Sequence, residues 1–249
     1  MDGLIIVAVA DLLVVAIVLV VGGIVLGKQG RLRGFNRFRT GQDRRGQAND
    51  RGRVKSVSLP LPGCWLVVKG RNLRAVQSAL GVRDSRPCSW LEGFANADRL
   101  FIAPPVNGWI LVTGTGLPDP AKDVDACFRL LLDLSQKIGK VQFFSVDQES
   151  HYHAWAKARN GRVLRAYAWA EGTIWCQGTK TWSETELGLK CFDYFEAPST
   201  TPAGLRGIAA ANASKVPLLA AQWGLDLARL PQHFRLEEYG LAGRLAHRI

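Results

Sequence analysis

No CxxC spacing, no GxSxG, no GK[ST], no internal repeat and no long low-complexity tract occurs in the 249 residues. Each absence removes a class of chemistry. The five cysteines (Cys64, Cys88, Cys127, Cys176, Cys191) are odd in number and irregularly spaced, which argues against a disulfide framework and against a zinc site. Three stand in apolar runs (GCWLVV, ACFRLLL, KCFDYF), where a reduced cysteine serves as a small core hydrophobe. Without GxSxG or a cysteine in a recognisable reactive setting, nucleophilic catalysis has no visible carrier. GTGLPDP at 114–120 follows an expected strand and precedes an expected helix, where a phosphate-cradling loop belongs. It lacks the third glycine of GxGxxG, and Pro118 and Pro120 remove two backbone donors, so a structural loop is expected. No cofactor is expected.

What the chain does have is an apolar run from Leu4 to Leu26, broken only by Asp11. At about 1.5 Å per residue such a helix crosses a hydrocarbon core roughly 30 Å thick, so residues 1–27 are expected to form one transmembrane anchor. The start, MDG, and the exit, VGGIVLGKQG, lack the marks of a cleaved signal peptide. From Lys28 to Lys55 ten basic residues face two acids, Asp43 and Asp50, a local net charge of +8 against −2 before it. Positive charge stays on the cytoplasmic side, which puts the N-terminus outside and the globular part in the cytoplasm at the inner (plasma) membrane. Unpaired cysteines agree with a reducing compartment. Asp11 lies about 10 Å inside the run, as a contact for a partner helix or as an acid tolerated near the outer headgroups. Gly22 and Gly23 offer a small-residue patch, though not at GxxxG spacing.

Residues 28–60, rich in Arg, Gly, Gln and Asn, are expected to be a flexible juxtamembrane linker. Arg31, Arg33, Arg37 and Arg39 interleave with Phe35 and Phe38, a pattern that suits anionic headgroups at about 1 kcal/mol per basic residue. A purely topogenic flank explains the same charge, and RNA binding by this segment is the weaker reading. The whole chain carries +11, of which residues 56–249 carry +5, so a basic globular face for nucleic acid is disfavoured.

Residues 61–196 are expected to form an α+β domain. CWLVVK (64–69) reads as a buried strand, NLRAVQSAL (72–80) as an amphipathic helix with Leu73, Val76 and Leu80 on one face, and RLFIA (99–103) as a strand. Asn107-Gly108 then signals a hairpin to WILVT (109–113). Asp119-Pro120 predicts an N-cap and first helical residue, with the helix running to Ile138 and ended by Gly139; Val124, Phe128, Leu131 and Ile138 form its apolar stripe. VQFFSV (141–146) is a strand, and Tyr152–Arg159 pairs with 162–170 across Asn160-Gly161. The order is βαββαβ, ferredoxin-like, with two helices on one sheet face and an extra β-hairpin. TWSETELGL and Ser214 to Leu230, with Pro217 in the first turn of the latter, read as helical, so residues 197–249 are expected to be a helical segment packed on the domain.

Asp147, Glu149, His151 and His153 alternate, and a strand would place all four on one side, suited to a divalent metal or acid–base work. DQES reads more like a turn between two strands, which leaves only His151 and His153 related. Tyr152, Trp155, Tyr167, Trp169 and Trp175 gather in and beside the second hairpin, as a docking face or as an aromatic core.

Leu100 to Leu117 (LFIAPPVNGWILVTGTGL), VQFF at 141–144 and HAWAKARNGRVLRAYAW from His153 to Trp169 resemble a family of bacterial proteins that share these hairpin motifs. The resemblance covers about half of the chain and implies no activity, cofactor or site residue. The functional expectation is a non-enzymatic, membrane-tethered interaction domain, an accessory or structural subunit of a larger membrane protein assembly. The alternatives are a small-ligand-binding or enzymatic domain near His151 and His153, and nucleic-acid binding through the arginine-rich linker.

Overall fold

The computed structural model describes residues 60–96, 98–194, 201–233 and 238–246. The expected anchor and linker, with Asp11, Gly22, Gly23, Arg31, Arg33, Phe35, Arg37, Phe38 and Arg39, lie outside the described residues. Among the described residues no helix is long and apolar enough to cross a membrane. The expected single-pass placement, with the domain on the cytoplasmic side, is corrected accordingly, because nothing in the described structure carries it.

The strands are β1 (Cys64–Lys69), β2 (Val82–Cys88), β3 (Leu100–Ile102), β4 (Trp109–Gly114), β5 (Lys140–Asp147), β6 (Tyr152–Arg159), β7 (Arg162–Trp169), β8 (Thr173–Gln177) and β9 (Gly240–Leu245). They form one sheet in the order β2-β9-β3-β4-β1-β5-β6-β7-β8, antiparallel at every pairing. The helices are α1 (Leu73–Leu80), α2 (Trp90–Ala95), α3 (Val124–Ile138), α4 (Trp182–Glu186) and α5 (Pro202–Trp223), followed by a 3-10 segment, Leu227–His233.

This overturns the expected ferredoxin-like domain. The strands expected for it stand together as β3-β4-β1-β5, but the sheet runs on past both ends, and helices cover both faces. On one side β9, from the far end of the described chain, inserts between β3 and β2; on the other, β6, β7 and β8 extend the sheet.

The sheet's two faces differ in the size of their side chains. Toward α1 and α3 stand Ala154, Ala156, Ala158, Ala166 and Ala168, with Ala154 opposite Ala168 and Ala156 opposite Ala166. These small residues leave room for Cys127, Leu130, Leu131 and Leu134 of α3 to pack down on the strands. Toward α5 stand Trp65, Phe144, Trp155, Tyr167 and Trp169, closed over by Ala213, Val216, Leu219, Ala220 and Trp223. Burial on both faces explains why β5 is buried without a break from Val141 to Val146 rather than at alternate residues.

Local chemistry sets the element ends. Asn72 Oδ1 accepts the Ala75 N–H at 3.1 Å and caps α1, and Gly81 ends it in a left-handed conformation. Asn107 and Gly108 both take positive φ in the two-residue turn before β4, as that hairpin type requires. The α3 helix begins later than expected. Asp119 organises a preceding turn through the N–H of Ala121, and Asp123 is the cap, accepting the Ala126 N–H at 2.8 Å.

Pro217 lies deep inside α5 rather than in a first turn; Pro202 holds that place. A proline has no N–H to give to the carbonyl four residues back. That carbonyl, of Ala213, instead accepts from Gln148 Nε2 at 3.2 Å, so the β5–β6 turn fills the gap in the helix.

Candidate functional site

One end of the central strands carries four cationic side chains on the α5 side: Lys69 at the end of β1, Lys140 at the start of β5, and Lys157 and Arg159 on β6. The register sets Lys69 opposite Trp109, and Lys140 opposite Arg159. Two tryptophan rings support the ammonium groups. Lys69 Nζ sits 4.6 Å and Lys140 Nζ 5.1 Å from the Trp109 ring centroid, and Lys157 Nζ sits 4.7 Å from that of Trp223. Each such contact is worth about 0.5 to 2 kcal/mol, depending on how far water is excluded.

The two rings come from distant segments, and close packing holds them. Trp109 is 6 % exposed and Trp223, the last residue of α5, is 8 % exposed. The next residue, Gly224, has φ +145°, and a Cβ there would fall 2.5 Å from the Trp109 ring. Only glycine permits that approach. Gln142 Nε2 donates to the Trp223 carbonyl at 2.9 Å, which ties the helix end to β5.

The cluster is electrostatically strained. Burial, then the neighbouring Lys69 and Arg159, hold the Lys140 ammonium below its ordinary range. Burial and Lys140 do the same to Lys157, with the Glu184 carboxylate opposing them. Glu184 is already engaged by Arg165, and among the described residues none of the four cations forms an ion pair. Titratable groups pushed off their usual values in one place mark a functional candidate. An anion placed here gains Coulomb energy and relieves the repulsion.

A second polar group lies within the α5 face. Arg165 Nε donates to Glu184 Oε1 at 2.9 Å and Oε2 at 3.2 Å. Arg165 Nη1 reaches the carbonyls of Ala166, Gln177 and Gly178, and Nη2 lies 3.2 Å from Cys191 Sγ. Glu184 also accepts from Trp155 Nε1 at 2.8 Å and from Thr181 N–H and Oγ1 at 2.7 Å. Every contact is internal, so the network fixes α4 and β8 to the sheet.

The histidines do not form a joint site. The chain from 148 to 151 is a turn, and His151 takes φ +58° in it, which breaks the alternation with Asp147 and Glu149. His153 is buried, stacked on Trp155, with Nδ1 3.0 Å from the His151 carbonyl and Nε2 3.3 Å from Asn212 Nδ2. Asn212 Nδ2 donates also to the Lys190 carbonyl, and its Oδ1 accepts the Lys190 N–H. Nε2 is therefore an acceptor and Nδ1 carries the proton, a neutral imidazole that burial holds down to about 4. Among the described residues no three His, Cys, Asp or Glu side chains stand close enough to hold a metal ion.

Tyr152, Trp155, Tyr167, Trp169 and Trp175 are all interior residues. Trp155 and Tyr167 pair across β6 and β7 under α5, while Trp175 meets Phe128 of α3 edge to face. As buried side chains they present no surface. The lysine cluster escaped sequence reasoning because a basic residue at a strand end is ordinarily a solvated terminus. The available signal was its recurrence in CWLVVK, KVQFFSV and HAWAKAR, together with an NGW turn.

Compared with known proteins, the chain matches no family model, no curated protein and no solved structure.

Proposed function

We propose that this protein is a non-catalytic interaction domain, a subunit that docks a carboxylate-rich surface of a larger protein assembly onto Lys69, Lys140, Lys157 and Arg159. The observation that carries it is the seating of three ammonium groups over two buried tryptophan rings with no carboxylate paired to them among the described residues. Such pre-positioned charge favours encounter with an acidic partner and fixes its register. Nucleic acid suits the patch less well, because the lysines cover the ring faces on which bases would stack. The test is native affinity purification of the wild type beside a Lys69→Glu/Lys140→Glu/Lys157→Glu variant. A protein companion recovered at stoichiometric yield, and lost in the variant, is expected. Unchanged recovery in the variant, or nucleic acid in place of a protein, overturns the proposal. A second reading, a small-ligand-binding domain, is favoured by a cleft at the opposite ends of the same strands.

A further inference from the structure

Lys140 stands between two other cations. It pairs with Arg159 across β5 and β6, and one step past the Val68–Val141 pair it faces Lys69 across β1 and β5. Opposed residues on neighbouring strands have Cβ atoms about 4.5 to 5.5 Å apart, so like charges placed there repel. No carboxylate among the described residues pairs with Lys140. Partial burial first, then Lys69 and Arg159, hold its ammonium below the ordinary range, which raises the share of free amine at neutral pH. The side chain is still exposed, so a small molecule reaches the nitrogen. The Trp109 ring beneath it is shared, with Lys69 Nζ at 4.6 Å and Lys140 Nζ at 5.1 Å, so the ring keeps a cation when Lys140 gives up its proton.

A free amine held between cations can make the anion that its surroundings call for. The Nζ lone pair attacks the carbon of carbon dioxide: an N–C bond forms, one C=O electron pair moves to oxygen, and the nitrogen releases a proton to water. The product is a carbamate, so a positive side chain becomes a negative one. Its two oxygens accept charge-assisted hydrogen bonds from a guanidinium and an ammonium, the donors that Arg159 and Lys69 carry. Lys157 has a different setting, because the Glu184 carboxylate acts on it and would repel a carbamate. Lys122 and Lys137 are also exposed, but each lies beside an aspartate, 3.5 Å from Asp119 and 2.6 Å from Asp133.

We propose that Lys140 is a modification site whose amine takes up dissolved carbon dioxide as a carbamate, held by Lys69 and Arg159 as counter-ions. The chemistry shares the lysine cluster with the docking reading but does not rest on it, since it needs the two flanking cations and no partner. The full chain is equilibrated with isotope-labelled carbon dioxide at neutral pH, treated with triethyloxonium to esterify carbamates, and mapped by peptide mass spectrometry. Label at Lys140 is expected about tenfold above that at Lys122, Lys137 or Lys157. Lys69→Gln/Arg159→Gln should lower the label at Lys140 about fivefold, the size of one exposed charge contact. Lys140→Arg keeps the charge and should remove the carbamate carbon signal from the NMR spectrum. All three substituted side chains are exposed, so the fold is not at stake. No label at Lys140, equal label at the comparison lysines, or undiminished label in the double variant overturns the proposal. Failure to recover a partner in native purification would sink the docking reading and leave these measurements standing.

Discussion

Arg165 Nε lies 2.9 Å from Glu184 Oε1, with the two side chains 2 % and 0 % exposed. Burying the two charges is expensive, and the expense is offset only while every lone pair and N–H is engaged. Glu184 answers Trp155 and Thr181 as well as Arg165. Arg165→Met is therefore expected to cost about 3 to 5 kcal/mol, by stranding a buried carboxylate. The double variant Arg165→Met/Glu184→Leu should recover part of that loss. Urea unfolding of the singles and the double decides it: a single-variant loss under about 1 kcal/mol would show the pair is not desolvated.

His153 makes stability depend on pH. Its folded value is held down to about 4 against an ordinary 6.5, so the unfolded chain binds the proton more readily. The resulting stability is fully present above pH 6.5, falls as pH drops through that value, and is gone near pH 4, a total of about 3 kcal/mol. Urea midpoints measured between pH 7.5 and pH 4 should fall in the wild type, and His153→Gln should flatten the curve over that window. Parallel curves would remove His153 as the cause.

Pro217 and Gln148 are expected to be energetically coupled. Gln148→Ala in the wild type leaves the Ala213 carbonyl unanswered and should cost about 1 kcal/mol. In a Pro217→Ala background the restored N–H serves that carbonyl, so the same change should cost close to nothing. A double-mutant cycle measures the difference, and additive losses would refute the coupling.

Removal of one cation should ease the lysine cluster rather than weaken the fold. Lys140→Met keeps an apolar stem against Trp109 and deletes a charge that depresses its neighbour. The Lys157 ammonium should then titrate at higher pH, followed by NMR of its side-chain nitrogen, with the melting temperature unchanged or raised. A drop in melting temperature of several degrees would mean that the cation–π contact outweighs the repulsion.

The strands most legible in the sequence are those in which one segment carries its own signal. β1 and β4 are apolar runs, β5 is carried by Val141, Phe143, Phe144 and Val146, and Asn107-Gly108 and Asn160-Gly161 announce their turns by chemistry that the structure realises with positive φ. β2 (VRDSRPC) is mostly polar, and β9 (GLAGRL) holds two glycines. β2 becomes a strand by pairing with β9, and β9 by pairing with both β2 and β3, long-range events without a local trace. The α5 segment hid for another reason. Its apolar residues are spread around the helix and Pro217 sits within it, so no stripe marked its extent, although Thr201, Pro202 and Gly224 stand at its ends as caps. The basic strand ends in CWLVVK, KVQFFSV and HAWAKAR are visible in the sequence, but only the strand order brings Lys69, Lys140 and Lys157 to one end.

The position of β9 reaches back to synthesis. Strands β2 and β3 leave the ribosome early, yet each needs β9 on one side, and β9 follows almost the whole of the described chain. Until it arrives, both present open backbone donors and acceptors to any passing strand. The nascent chain is thus exposed to wrong partners for most of the time it takes to make. A nick or stop codon shortly before Gly240 would make that exposure permanent.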